Sequence, residues 1–192
     1  MESSRTALES WDVHRIVRNM FPLLVLLTVI VLIAGITLED ARGLLDEYGV
    51  LAVMVPTMVG MGGNLGAILS SRLSTRLHLG TAEFDPRDRE LWANVLAVIA
   101  LGSTVFTTLA VGAWLIGRVI DSEMALGVLL AISLSSGLAI AVVAIVCSFA
   151  ATYASFRLGI DPDDTTIPVV TNVVDVFGML IFIGISSVVL SP

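Results

Sequence analysis

Five runs of apolar residues, at about 20–38, 50–71, 91–116, 124–156 and 168–190, dominate this chain. A helix needs roughly 20 such residues to cross a hydrocarbon layer about 30 Å thick, and each run meets that length. None shows the period-two alternation over about ten residues that marks a membrane β-strand. Hydrophobic residues make up 56% of the 192 positions and charged residues 14%, and the charges gather between the runs. A soluble domain of this size has no interior able to hide so much apolar surface. The expected fold is an all-α integral membrane protein with five transmembrane helices, residues 20–192, behind a polar N-terminal segment, residues 1–19.

The first run is longer than the apolar core of a signal peptide and lacks a small-residue cleavage site, so it reads as a retained helix. Leu8, Trp11 and Val13 among polar neighbours suggest a short interfacial stretch before it. The fourth run is too long for one straight crossing. It must tilt, project beyond the bilayer, or bend near Ser135-Ser136-Gly137. All ten basic residues other than histidine are arginines, and they set the orientation. Arg5, Arg15, Arg18, Arg72, Arg76, Arg87, Arg89 and Arg157 fall on one side of the membrane, and only Arg42 and Arg118 on the other. Basic residues concentrate on the cytoplasmic side. The N-terminus is therefore expected inside and the C-terminus outside a plasma membrane.

Several function classes lack the residues they need. A net charge of −7 supplies no basic surface for nucleic acid. Cys147 is the only cysteine and lies in an apolar run, while His14 and His78 lie outside the runs. That leaves no thiolate or imidazole set for a soft metal. No Gly-x-Ser-x-Gly or His-Glu-x-x-His pattern occurs, so an enzyme is not expected.

Asp175 stands out within Val173-Val174-Asp175-Val176-Phe177. An ionised carboxylate at such a depth costs about 2.5–3.5 kcal/mol on insertion scales, and its own run holds no arginine to offset it. Two readings fit: a hydrogen-bonded acid at a helix contact, or an acid whose partner is a passing cation or proton. Thr171 and Asn172 precede it by four and three residues, which places all three on one side of a helix. Their oxygens suit a hard cation such as Mg²⁺ or Ca²⁺. The same residues also serve as polar contacts between membrane helices.

The second run carries Pro56 and then Gly60-Met61-Gly62-Gly63-Asn64-Leu65-Gly66. Four glycines and an asparagine are poor material for a regular, lipid-facing helix. Their use is close backbone approach, either of helix to helix or of carbonyl to ion. Ahead of the fifth run, Asp161-Pro162-Asp163-Asp164-Thr165-Thr166 fits a helix start with Pro168 in its first turn. Asp161, Asp163 and Asp164 could also gather cations at an inner mouth.

Taken together, Pro56, Gly60 to Gly66, Asp161-Pro162, and Pro168-Val-Val-Thr-Asn-Val-Val-Asp175-Val-Phe-Gly178 resemble the transmembrane domain of the MgtE family. That family comprises magnesium channels and transporters and has a related eukaryotic solute-carrier branch. The resemblance implies a homodimer in the lipid bilayer with the ion path between subunits, Mg²⁺ as the transported ion, and Asp175 as its central ligand. Asn172, Thr171, Asn64 and Gly63 are the accompanying candidates. The chain departs from the family at Gly66-Ala67-Ile68, where Gly-Asn-Gln is frequent, and at Ile167, where a polar residue can precede the proline. Only 19 residues precede the first run, so no separate regulatory domain is expected in this chain. A proton-coupled carrier of another solute, with Asp175 titrating, is the alternative.

Overall fold

A computed structural model describes residues 13–80, 87–160 and 162–191. They form six helices: α1 (Val13–Asp40), α2 (Arg42–Glu47), α3 (Gly49–His78), α4 (Arg89–Val119), α5 (Leu126–Leu158) and α6 (Pro162–Leu190). No strand occurs among the described residues. Every helix except α2 is long and apolar enough to span a membrane. The fold class is thus the expected one. Leu8 and Trp11 lie outside the described residues, and α1 begins at Val13.

The glycine-rich stretch of α3 remains regular helix, against the expectation from its composition. Each glycine costs about 1 kcal/mol relative to alanine in a helix interior. An unpaired amide or carbonyl in hydrocarbon costs several. In a bilayer the second penalty decides, and the helix survives. Three of the four glycines are then used for packing. A side chain at Gly62 would strike Ile140, and one at Gly66 would sit 2.6 Å from Val170.

The same logic resolves the fourth run. Helix α5 is unbroken over 33 residues, about 50 Å at 1.5 Å per residue. Ser135-Ser136-Gly137, where the sequence allows a bend as one of three alternatives, lies within continuous helix. Gly137 instead receives the ring of Phe106 from α4, where any Cβ would collide with it. Ser133 donates to the Phe106 carbonyl at 2.7 Å beside that contact. The helix ends on Gly159 at φ 67°, with the Ile160 amide returning to the Ser155 carbonyl at 3.0 Å. Glycine reaches this left-handed conformation without steric cost.

Helix α6 starts six residues earlier than the sequence suggests. Pro168 therefore lies inside the helix, and Pro162 occupies its first position. A proline at that position loses no helical hydrogen bond, because the first amides have no partner in any case.

The core lies between α3, α4, α5 and α6. It includes Met54, Met58 and Leu69 of α3, Phe106 of α4, Ile132 and Ile140 of α5, and Val170, Val174 and Phe182 of α6. Helix α1 is peripheral. It rests against α6 and α2, and among its described side chains only Leu27 and Ala34, two turns apart, are buried.

Candidate ion site

Asp175 lies near the middle of α6, half-buried, on the side that faces α3. Its neighbour there is Gly63. A Cβ built on Gly63 would stand 2.8 Å from Asp175 Oδ1 and 3.7 Å from Thr171 Cβ. The missing side chain on α3 is what makes room for the carboxylate on α6. The flanking glycines set the helix separation, since Gly62 abuts Ile140 and Val174 while Gly66 abuts Val170, Ala144 and Val174. One strip of glycine surface thus holds α3 close to both α5 and α6 at the depth of Asp175.

The polar groups near Asp175 are largely committed to their own helix. Thr171 Oγ1 donates to the Ile167 carbonyl at 2.9 Å and to the Pro168 carbonyl at 3.2 Å. Asn172 Nδ2 donates to the Pro168 carbonyl at 2.8 Å. The hydroxyl proton of Thr171 and one of the two amide protons of Asn172 are therefore spent. Both residues keep oxygen lone pairs, which is the face a cation needs. The Asp175 carboxylate has no hydrogen-bond or ion-pair partner among the described residues.

The structure brings Gly63, Thr171 and Asp175 together, with Asn172 one turn from Asp175 on the same helix. Asn64 is placed differently. It is exposed, and its Nδ2 comes only within 4.0 Å of Met61 Sδ. It belongs to an outward stripe of α3 formed by Thr57, Gly60, Asn64 and Ser71, all exposed at three-, four- and seven-residue spacings. Asp161 lies outside the described residues, as do the side chains of Asp163 and Asp164, whose backbone forms the start of α6.

Sequence reasoning missed an acidic cavity of about 650 Å³ at the end of the bundle where α2 sits. Asp46, Glu47, Asp121 and Glu123 line it together with Tyr48 and Leu190. Its residues come from three segments far apart in the chain. The only signal was an excess of acids in two connections that carry one arginine each.

Five membrane-length helices define a multi-pass membrane protein, and among its described residues Asp175 is a half-buried carboxylate without a counter-charge, admitted by a glycine strip. The family model for MgtE, described as a divalent cation transporter, matches residues 55–185, about two thirds of the chain. The chain belongs to the MgtE family. That is a family of transporters, not of enzymes, and divalent cation transport is the activity it shares. The matched segment contains both the glycine strip of α3 and Asp175.

Proposed function

We propose that this protein carries Mg²⁺ across the plasma membrane through a path between two copies of the chain, with Asp175 of each as the central ligand. The observation that carries this reading is the bare carboxylate of Asp175 opposite Gly63. A buried charge without a partner is strongly unfavourable, so a cation that visits it is stabilised by what the fold leaves uncompensated.

The donor set favours Mg²⁺ held partly through its own water. No three His, Cys, Asp or Glu side chains are placed to hold a metal ion together among the described residues. Mg²⁺ gives up water reluctantly and is commonly bound by one or two carboxylates with several waters retained. One Asp175 per subunit, with the oxygens of Thr171 and Asn172 near it, matches that requirement. Gly63 supplies the approach and Asn64 a polar group on the adjoining surface.

The second copy is supported by the outward stripe of α3. Lipid cannot satisfy the amide of Asn64, whereas a facing polar surface or a hydrated path can. Arginine placement supports a cytoplasmic N-terminus and an outer C-terminus. The acidic cavity then opens outside, and Asp161, Asp163 and Asp164 lie at the inner end.

The test is divalent flux into liposomes containing purified protein, run with Mg²⁺, Ca²⁺, Mn²⁺ and Co²⁺. Cysteine pairs along the α3 stripe should cross-link between chains. Full-rate transport by a protein that stays monomeric would overturn the shared path. If flux instead followed a pH gradient and ignored Mg²⁺, Asp175 would be a proton site for another solute.

A further inference from the structure

Buried hydroxyls form a ladder inside each subunit, on the other side of α3 from the outward stripe. Helices α3 and α5 run parallel here, because their contacts advance together: Met58 with Ser133, Gly62 with Ile140, and Gly66 with Ala144 and Ser148. Ser148 Oγ donates to the Gly66 carbonyl at 3.1 Å. Further along, Ser155 Oγ lies 3.0 Å from Thr165 Oγ1 and 3.4 Å from Thr166 Oγ1 of α6. Between these bonded levels the ladder breaks. Ser70 and Thr152 are both fully buried, and neither hydroxyl has a hydrogen-bond partner among the described residues.

The two residues are in register. Ser70 follows Gly66 by four positions and Thr152 follows Ser148 by four, so each lies about 6 Å, one turn, beyond a pair already in contact. The break also has a local cause. A serine in a helix ordinarily donates to the carbonyl four residues back, which for Ser70 is that of Gly66. That oxygen already accepts the Ser70 amide, through the helix, and Ser148 Oγ from α5. A carbonyl has two lone pairs, and both are taken. The hydroxyl of Ser70 is therefore turned away from its usual acceptor by the bond that ties the two helices together.

A buried hydroxyl left unpaired costs about 1–3 kcal/mol, and proteins commonly meet that need with an internal water making two to four bonds. We propose that a water molecule is bound between α3 and α5 inside each subunit, bridging Ser70 Oγ and Thr152 Oγ1. Ser148 Oγ, whose proton is spent on Gly66, offers a third contact as an acceptor. This water is separate from the ion path. It lies about 10 Å along α3 from Gly63, on the buried rather than the outward side of that helix. Ser136 and Ser186 are also buried without partners, but no bonded pairs frame them in the same way.

A double-mutant cycle on the full chain in detergent tests this. Thr152→Val keeps the side-chain shape and removes the hydroxyl, and Ser70→Ala does the same for its oxygen. Each single change should lower the unfolding midpoint, and the double variant should fall no further than the worse single. Such coupling needs a third group, since the two hydroxyls do not bond each other. A midpoint raised by Thr152→Val would show a dry, unpaired hydroxyl and overturn the proposal, as would additive losses. Radiolytic hydroxyl labelling gives a readout that needs no variant. Water held in the seam should label the buried Leu69 or Leu73 beside Ser70, and protection of both would also overturn it.

Discussion

Two aspartates of this chain, Asp88 and Asp175, meet their surroundings in opposite ways. Asp88 caps α4: it accepts the Glu90 amide at 2.9 Å and the guanidinium of Arg76, at the end of α3, at 2.6 Å. Arg76 also reaches Glu90 at 3.5 Å. The hydrogen bond from Arg76, assisted by the Glu90 amide, holds the Asp88 carboxyl below the usual carboxylate range. Every need of that group is met within the chain, and its work is to fasten α3 to α4. Asp175 is given space by Gly63 and no partner. A satisfied acid holds a structure together, whereas an unsatisfied one in an apolar helix carries a cost that the described residues do not offset.

The comparison breaks first at Asp175. Asp175→Asn keeps the shape and one oxygen but removes the charge that attracts a divalent ion in a low-dielectric setting. Mg²⁺ flux in liposomes should fall on the order of a hundredfold or more, a barrier change of about 2.7 kcal/mol. The variant should insert and fold normally, because a neutral amide is cheaper to bury than a carboxylate. Normal uptake by well-folded Asp175→Asn would make this acid as structural as Asp88. Asp175→Glu should retain part of the flux with altered ion preference.

Gly63→Ala should act next most strongly. Its new methyl would meet a terminal carboxylate oxygen, which can rotate away, so the fold should tolerate it. The moved carboxylate should lower flux on the order of tenfold, about 1.4 kcal/mol. An unfolding midpoint close to the parent's, measured beside flux, separates this from simple overpacking. Unchanged flux would detach Gly63 from the site.

Neutralising Asp161, Asp163 and Asp164 together should have a smaller effect, confined to low ionic strength. Attraction between exposed charges is screened over about 8–10 Å near physiological salt. Flux that is insensitive at low salt would leave these residues as a helix start only.

The smallest effect belongs to Asp88. Its lowered folded-state pKa contributes stability that is present above the ordinary carboxylate range and lost as pH falls through the folded value. Asp88→Asn should therefore lower the unfolding midpoint at neutral pH and flatten its decline toward acid, with Mg²⁺ flux preserved. A large loss of flux would give Asp88 a share in transport.

What was legible in the sequence follows from what the bilayer enforces. Apolar runs of about 20 residues have only one way to satisfy their backbones in lipid, so the five long helices could be read without a structure. Asp175 was legible for the same reason, as an acid where acids are expensive. The pairing of Gly63 with Asp175 was not, since it depends on the register of α3 against α6, which the glycine spacing alone leaves open. The start of α6 was misread because Pro162 and Pro168 can each stand in a first turn, and a proline inside a membrane helix is tolerated. The direction of Asn64 was hidden by its neighbour, because adjacent helical positions diverge by about 100° and Gly63 faces the acid.

Helix α1, whose described side chains are buried only at Leu27 and Ala34, leans on α6 and on little else of the bundle. During synthesis the order is awkward: of the described helices, the earliest to emerge waits for the latest. Until α6 arrives, α1 has lipid for company on nearly every side, and its apolar residues all round make that wait inexpensive. Among the described helices, the pairing of α1 with α6 spans the longest stretch of sequence. A chain stopped before α6 would leave α1 tethered mainly through α2 and the single residue between them.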